Sequence, residues 1–256
     1  MPPKSRSLDT GSRAVERVSQ VIQFLSSSPR RGQAVPDVAK HLGISRQAAS
    51  RLLDGMVKGG IASKDSTTRR YRLSMQPFIW FRRVAMERAP NDVIRNEMIS
   101  IAGEINALVT YAILDGPLAL GLEQAECTDA YAILRPSTGF GPWESTVTGK
   151  TLVAFSAPEI IQEYLHADRQ QSKAELTRLE KELETIKKEG MLRDDGETFR
   201  LAVPIKDSDD LAYATFLAIP RQKNLTDEEK QRFTSVVVQG AARCSASIGP
   251  DDTLTI

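Results

Sequence analysis

The sequence is poor in the residues that build disulfide frameworks and metal sites. It has two cysteines, Cys127 and Cys244, and two histidines, His41 and His166, among 256 residues. The cysteines lie far apart and in no metal-ligand spacing, and the histidines fall in different predicted modules. We therefore expect no metal site and no disulfide scaffold, and a reducing cytoplasm is the expected compartment.

The sequence also lacks long apolar runs. No stretch of about 18 apolar residues occurs, so we expect no membrane span. The first residues, MPPKSRSLDTGSR, contain no apolar stretch of the kind that a secretory signal needs, and residues 1–11 predict a flexible tail. Hydrophobic residues make up 41% and charged residues 26% of the chain, which is normal for a globular protein that buries a core.

Motifs that carry catalysis or nucleotide binding are absent as well. The patterns G-x-S-x-G, H-E-x-x-H and G-x-G-x-x-G do not occur. The segment TGKT, Thr148 to Thr151, is similar to the end of a phosphate-binding loop, but the full motif needs a glycine where Glu144 stands. We therefore expect no enzyme activity, no cofactor and no nucleotide site.

Charge is distributed unevenly along the chain. Residues 1–90 contain 17 Lys and Arg against 6 Asp and Glu, whereas the remainder contains 17 against 27. Such an asymmetry indicates two modules with different partners, and the basic first third suits a polyanion such as nucleic acid. The alternative is that uneven charge only keeps the protein in solution.

The first module has the pattern of a winged helix-turn-helix. Apolar residues at spacings of three and four predict a helix from Ser12. Pro36 suits the first turn of a second helix and Gly43 its C-cap, and Ser45 suits the N-cap of a third helix. Residues 61–74 then read as a β-hairpin with a polar tip. Two short helices joined by a Gly-containing turn are the sequence form of a helix-turn-helix.

The third predicted helix presents polar side chains opposite its apolar face. In this motif the second helix of the pair enters the major groove with its N-terminal residues at base edges. Arg pairs bidentately with guanine and Gln with adenine, and arginines on the wing can reach the DNA backbone or minor groove. A solvated surface is the alternative for each residue. The candidate DNA-contacting residues are Ser45, Arg46, Gln47, Ser50, Arg51, Arg69 and Arg70.

A different pattern begins after the first module. Residues 75–90 predict a linking helix with one apolar face, which fits a dimer contact and burial in the second domain equally well. From Asn91 onward, amphipathic helices and alternating strands predict an α+β domain with a mixed sheet flanked by helices. The predicted boundaries are the tail at 1–11, the winged helix-turn-helix domain at 12–74, the linker at 75–90 and the second domain at 91–250.

Several segments resemble the IclR-type bacterial transcriptional regulators. The stretches SRAVERVSQVIQFL, VPDVAKHLGISRQAASRLLDGMVKGGIASKD and RRYRLS are similar to the family's DNA-binding domain. The stretches GPWESTVTGKTLVAF and EGMLRDDGETFRLAVPI are similar to its effector-binding domain, which is GAF-like. Residues 46–50, RQAAS, replace the common Lys-Ser-Thr-Val-His, and this departure implies a different operator preference on the same fold.

The resemblance also implies an effector pocket between the sheet and the N-terminus of the helix that contains Gly149. The backbone amides of Val147 and Thr148 would bind an acid there. Arg200 stands where the family has a pocket cysteine, and it could clamp a carboxylate bidentately. Tyr111, Trp143 and Phe216 could enclose a ring. The alternatives are that Arg200 pairs with a neighbouring acid and that these three aromatic residues are ordinary core. The implied effector-binding residues are Tyr111, Trp143, Val147, Thr148, Asp194, Asp195, Arg200, Phe216 and Ala218.

The sequence as a whole predicts a transcriptional regulator. Its partners would be double-stranded DNA, a small organic acid or aromatic effector, and further copies of itself in a homodimer or a dimer of dimers. Two other functions stay open: a winged-helix protein–protein adaptor, and a small-molecule enzyme with an accessory winged domain.

Overall fold

The structure is a computed structural model that describes residues 10–27, 30–128, 131–137, 139–167 and 172–248. Residues 1–9 of the predicted tail and residues 249–250 of the predicted second domain lie outside the described residues. The chain divides into two compact units, Met1–Arg88 and Ala89–Ile256.

The first unit contains four helices and a short hairpin among its described residues. The elements are α1 (Thr10–Ser26), α2 (Val35–Leu42), α3 (Arg46–Lys58), β1 (Ala62–Lys64), β2 (Tyr71–Leu73) and α4 (Gln76–Glu87). Helix α1 begins two residues inside the predicted tail. Buried side chains of α1, α2, α3 and the hairpin form one core, which includes Val21, Leu25, Leu53 and Tyr71.

The turn between α2 and α3 is set by two residues. Gly43 adopts a left-handed conformation with φ 62°, which a glycine takes without the steric cost of a Cβ, and its N–H bonds back to the end of α2. Ser45 then caps α3, because its hydroxyl oxygen accepts a hydrogen bond from the backbone N–H of Ala48 at 3.2 Å. Both caps lie at the predicted positions, and they fix the direction in which α3 leaves the turn.

The hairpin packs its inner side on this core and is tied to the chain before α2. Strands β1 and β2 pair antiparallel, with Lys64 opposite Tyr71. Tyr71 also exchanges two backbone hydrogen bonds with Gln33, each of 2.8 Å. The ring of Tyr71 is buried and its hydroxyl donates to Asp54 of α3 at 2.9 Å. The wing is therefore fixed to α3 and to the segment that precedes α2.

Helix α4 leaves large apolar side chains exposed. Five of them have 44–57% of their surface accessible: Phe78, Ile79, Trp80, Phe81 and Val84. Isolated exposed apolar residues are ordinary on protein surfaces, but a contiguous set on one short helix is typical of an interaction surface.

The second unit is a seven-stranded sheet with helices on both faces. Its elements are α5 (Asp92–Glu104), β3 (Ala107–Asp115), β4 (Leu118–Cys127), β5 (Ala132–Pro136), β6 (Phe140–Pro142), a 3₁₀ turn (Trp143–Ser145), α6 (Val147–Ala154), α7 (Pro158–Ala167), α8 (Lys173–Glu189), β7 (Leu192–Asp194), β8 (Arg200–Lys206), β9 (Ala212–Pro220) and α9 (Asp227–Ser245). The strand order is β5-β4-β3-β9-β8-β7, and β6 pairs with β4.

The sheet differs from the expected mixed type. Every pairing among the described strands is antiparallel, including the central pair β3–β9. Most neighbouring strands follow one another along the chain through short turns, which join antiparallel strands, and the chain enters β9 from the β8 hairpin in the direction opposite to β3. Strands β6 and β7, of three residues each, were not predicted.

The two faces of the sheet bury separate cores. Side chains alternate along each strand, so Val109, Tyr111 and Ile113 of β3 face α5 and α9, with Phe216 and the other residues of that core. The opposite face carries α6, which packs with α7 and α8 around a second core that includes Trp143. The cavity described below lies on this second face. Among the described residues, no helix is long and apolar enough to cross a membrane.

Candidate functional site

The exposed side of α3 carries three polar side chains that make no hydrogen bond or ion pair among the described residues. Arg46, Gln47 and Arg51 are all exposed, while Ala49 and Leu53 on the other side are buried. In the described part of the chain, none of the three has a hydrogen bond or an ion pair. Since unpaired cations on an exposed helix retain their full capacity for an external anion or base edge, this side of α3 is a candidate recognition surface.

The two serines of the predicted DNA surface are already engaged. The oxygen of Ser45 accepts from Ala48, as described above, so its hydroxyl hydrogen is the group left for another partner. Ser50 donates to Asp54 at 3.4 Å, and Asp54 also binds the hydroxyl of Tyr71. Ser45 and Ser50 therefore differ from the arginines, because each has a role inside the fold.

The wing tip is organised by one carboxylate. Asp65 accepts from the backbone N–H groups of Thr67 at 3.0 Å and Thr68 at 2.7 Å. The hydrogen bonds from Thr68 hold the pKa of the Asp65 carboxyl below its ordinary value. Arg69 follows in a left-handed conformation with φ 59°, which costs a non-glycine residue about 1 kcal/mol. These contacts fix the backbone from which the Arg69 side chain projects.

The two wing arginines are not equivalent. Arg69 is exposed, and its side chain has no hydrogen-bond or ion-pair partner among the described residues. Arg70 donates from Nη1 to the carbonyl oxygen of Gly32 at 3.2 Å, which ties the wing to the turn before α2. Arg72, farther down the strand, lies 3.5 Å from a carboxylate oxygen of Asp65. The guanidinium at the tip of the wing that is available to a partner is thus that of Arg69.

A cavity of about 290 Å³ lies in the second unit, between the sheet and the first turn of α6. Its walls combine small residues with hydrogen-bonding groups. The lining residues are Thr110, Ala112, Ala119, Gly121, Gln124, Ser137, Gly139, Phe140, Gly141, Ser145, Thr146, Val147, Thr148, Arg200 and Leu217. This volume is of the size that encloses a small organic molecule.

The first turn of α6 forms one wall of this cavity. Thr146 caps the helix by accepting from the N–H of Gly149 at 3.0 Å, and Val147 and Thr148 follow at the cavity. Gly149 itself packs against Trp143, and a Cβ at this position would lie 2.4 Å from the Trp143 Cα. The glycine of the TGKT segment therefore permits close packing of α6 on the turn before it, and the helix N-terminus is a favourable place for an anion.

Two buried threonines supply hydroxyl groups to the cavity. Thr110 of β3 and Thr148 of α6 are 8% and 9% exposed, and both line it. Within the described ranges neither hydroxyl has a hydrogen-bond partner. The two threonines can therefore offer hydrogen-bonding groups to a bound polar molecule.

Arg200 lies between this cavity and a second, more polar one of about 260 Å³. It makes an ion pair with Asp194, which lines the second cavity only. Lys150 and Glu182 form a further pair there, with Nζ to Oε1 at 2.6 Å. The alternative interpretation, that Arg200 pairs with a neighbouring acid, is thus confirmed, and Arg200 also lines the larger cavity.

Three of the predicted pocket residues lie on the wrong face of the sheet. Tyr111, Phe216 and Ala218 point toward α5 and α9 and belong to the first core. Burial raises the pKa of Tyr111 well above its ordinary value, as expected for a phenol in an apolar core. Because faces alternate residue by residue, Thr110 and Leu217 occupy the cavity side in their place.

Two further predicted pocket residues are also placed elsewhere. Trp143 is 3% exposed and packs edge-to-face on Tyr164, with 5.9 Å between the ring centroids, so it supports α6 from within the second core. Asp195 lies beside Asp194 but binds Lys230 of α9, with Nζ to Oδ1 at 2.5 Å, and it lines neither cavity. In the described part of the chain, no group of three or more His, Cys, Asp or Glu residues could hold a metal ion.

A winged helix-turn-helix followed by an antiparallel sheet with helices on both faces defines a class of two-module transcriptional regulators. The family model described as bacterial transcriptional regulator IclR C-terminal matches residues 91–246, and that of the IclR helix-turn-helix domain matches residues 14–66. The chain belongs to the IclR family. Members of this family are DNA-binding transcription factors and not enzymes.

Individual relatives agree with this assignment. The HTH-type transcriptional regulator BhcR of Paracoccus denitrificans is 22% identical over 253 residues, which cover 94% of this chain and 88% of the relative. The IclR structure from Thermotoga maritima has a TM-score of 0.65 at 19% identity, covering 93% of this chain and 99% of that one. An IclR homologue complexed with 4-hydroxybenzoate, from Microbacterium hydrocarbonoxydans, has a TM-score of 0.65 at 20% identity, covering 92% and 98%. At these identities the structures show a shared fold.

Proposed function

We propose that this regulator reads operator DNA with α3 and the wing, and that a small organic acid bound beside α6 modulates the affinity for DNA. The observation that carries the DNA part is the exposed, unpaired set Arg46, Gln47 and Arg51 at the N-terminal half of the second helix of the motif. In helix-turn-helix proteins this part of the helix meets base edges in the major groove. Arg69 would add a contact from the wing.

The effector part rests on the cavity beside α6. Its wall contains the first turn of α6 together with Arg200, Thr110 and Thr148. A carboxylate binds favourably to the first two, and polar substituents to the hydroxyls. The Microbacterium relative, whose structure contains 4-hydroxybenzoate, supports an aromatic acid as the ligand class.

A homo-oligomer is the third part of the proposal. The exposed apolar residues of α4, which are Phe78 to Phe81 and Val84, would pack against the same helix of a second copy. A two-fold interface uses the same patch on both subunits. Dimeric helix-turn-helix proteins place their recognition helices in successive major grooves, about 34 Å apart. The protein would act in the bacterial cytoplasm, where the chromosome lies.

Selection of DNA by the purified protein tests this function. The full chain is mixed with a pool of random duplexes, the retained DNA is sequenced, and the enriched duplex is titrated with and without benzoate or 4-hydroxybenzoate. We expect enrichment of one two-fold-related sequence and a change of its affinity with at least one acid. Retention of no duplex at moderate salt would contradict DNA binding and would favour a protein–protein adaptor.

A further inference from the structure

Gln47, Ser50 and Asp54 lie along one face of α3. Ser50 follows Gln47 by three residues and Asp54 follows Ser50 by four, which are the spacings at which side chains on a helix are neighbours. Gln47 and Asp54 are exposed, and Ser50 is partly buried. Because Gln47 belongs to the surface proposed to meet base edges, Ser50 and Asp54 continue that surface along the helix.

The wing holds the carboxylate of Asp54 beside Ser50. One oxygen, Oδ1, accepts from the hydroxyl of Tyr71 at 2.9 Å and lies 4.0 Å from Nζ of Lys64. The other oxygen, Oδ2, accepts from Oγ of Ser50 at 3.4 Å. The ring of Tyr71 is buried in the core of the unit, so the group that binds Oδ1 is itself fixed. The packing of Tyr71 therefore determines which oxygen of Asp54 faces Ser50.

This contact decides which part of the Ser50 hydroxyl is available to a partner. A serine hydroxyl can donate one hydrogen bond and accept two, whereas a carboxylate only accepts. The hydrogen of the Ser50 hydroxyl must therefore point toward Asp54, and an ionised acceptor makes such a bond stronger than a neutral one would. An external partner meets the lone pairs of Oγ, so Ser50 offers DNA an acceptor.

The major groove presents donors and acceptors on different bases. Each base pair has one amino group there, on adenine N6 or cytosine N4, while guanine and thymine expose acceptors at N7 and O6 and at O4. A serine that is free to rotate can contact either kind of group. A serine restricted to accepting can bond to the amino base and is left facing an acceptor when the pair is inverted.

We propose that Ser50 accepts a hydrogen bond from the amino group of adenine or cytosine at one position of each operator half-site, and that Asp54 sets this preference by holding the serine hydrogen. This inference rests on the proposed binding of DNA by α3. Ser50 contacts the base, and Asp54 is a positioning residue that acts through it. Lys64, beside Asp54, offsets the negative charge of the carboxylate at a surface that faces phosphates.

Sequencing of duplexes selected by the full chain locates the position that Ser50 reads. The selection is run with the wild type and with Ser50→Ala, and the position sought is the one at which Ser50→Ala removes the base preference. Anisotropy titrations then compare the selected pair at this position with the inverted pair. We expect the wild type to favour the selected pair about tenfold, and Ser50→Ala to bind both duplexes equally.

Removal of the amino group shows whether Ser50 accepts or donates. The amino base of that pair is replaced by the same ring without its amino group, which is purine for adenine and 2-pyrimidinone for cytosine. We expect this change to cost the wild type about tenfold more affinity than it costs Ser50→Ala. The comparison between the two proteins cancels the effect of the weaker base pair on the duplex itself.

Asp54→Asn should reverse the direction of the Ser50 hydrogen bond. In this variant the amide oxygen accepts from Tyr71, and the amide nitrogen, which only donates, faces Ser50. The serine hydrogen then turns toward the DNA, so the variant should lose the preference for the selected pair or favour the inverted one. Asp37→Asn is the matched control. It removes one negative charge from the same unit and keeps an oxygen to accept from the N–H of Ala34, and its preference should equal that of the wild type.

The outcomes distinguish this inference from the proposed function. If the wild type selects a sequence but loss of the amino group costs it no more than it costs Ser50→Ala, Ser50 does not accept from a base and DNA binding by α3 stands. If an Asp54→Asn variant with the wild-type circular dichroism spectrum keeps the wild-type preference, Asp54 does not set it. If the wild type selects no duplex at all, the proposed function itself is contradicted.

Discussion

Arg69 and Arg70 are adjacent in the sequence, yet their side chains have different surroundings. Arg69 is exposed without a partner in the described part of the chain, and Arg70 donates to the carbonyl of Gly32. We expect Arg69→Ala to weaken binding to the selected duplex and to reduce the slope of log affinity against log salt by about one, as loss of one phosphate contact does. Fluorescence anisotropy titrations at several salt concentrations measure this slope.

Arg70→Ala is the matched comparison for that experiment. Loss of the Arg70 side chain should destabilise the wing, because its guanidinium bonds to the protein backbone. The salt slope of this variant should stay close to the wild-type value. Equal slopes for wild type and Arg69→Ala would show that Arg69 does not meet a phosphate.

Arg200 is the residue on which the acid site depends most. Hydrogen bonds to charged groups contribute about 1.5–3 kcal/mol, so Arg200→Ala should weaken benzoate binding roughly tenfold to a hundredfold in calorimetry. Arg193→Ala is the control, since this exposed arginine lines the more polar cavity only. If benzoate binds equally well to Arg200→Ala and to wild type, Arg200 is not the carboxylate ligand.

At the residue scale, sequence reasoning located some cavity residues and missed others. Val147, Thr148 and Arg200 line the cavity, and the resemblance had pointed to all three. Tyr111 and Phe216 were wrong by one position each, because large aromatic residues on a strand look equally suited to a core and to a pocket. Gln124, which lines the cavity, was not predicted, since the shift of the β3–β4 register between Tyr111 and Ala112 leaves no trace in the hydrophobic alternation.

At the element scale, the cap of α3 links stability to recognition. Ser45→Ala removes the acceptor for the Ala48 N–H and should destabilise the protein by about 1 kcal/mol, whereas Ser45→Gly should cost only a few tenths. Urea denaturation measures both changes. A Ser45→Ala variant as stable as the wild type would show that the hydroxyl does not contribute as a cap.

The apolar side of α4 makes a second prediction at this scale. Burying one Phe side chain contributes about 1.5–3 kcal/mol, so the double change Phe78→Ser and Phe81→Ser should convert a dimer to monomers. Light scattering coupled to size-exclusion chromatography gives the mass, and circular dichroism checks that the helix content is kept. An unchanged mass for the double variant would place the dimer contact elsewhere.

Elements with strong local signals were predicted well, and weak ones were not. The caps at Gly43 and Ser45 lie at the expected residues, because each needs a particular residue type at one position. The predicted hairpin within residues 61–74 also formed, as the pairing of β1 with β2. Strands β6 and β7 have three residues each, too few to show an alternation, and the antiparallel pairing of β3 with β9 depends on contacts between distant parts of the chain.

For the whole molecule, the uneven charge and the two compact units fit a regulator whose first unit would bind DNA and whose second unit would bind the effector. The basic residues needed for DNA lie in the first unit, and the acid cavity lies in the second. An effector changes DNA affinity only if it binds the DNA-competent and the incompetent arrangement unequally. By the same linkage, the operator duplex must change the affinity of the protein for the acid by the same factor.

The central claim is that the exposed side of α3 recognises a DNA sequence. Its most direct test is the ratio of affinities for the selected duplex and for a scrambled duplex, measured by anisotropy at one salt concentration for the wild type and for the triple variant Arg46→Ala, Gln47→Ala and Arg51→Ala. We expect a ratio on the order of 10³ or more for the wild type and close to one for the variant, which keeps weak non-specific binding. A folded variant that retains the wild-type ratio would contradict the claim.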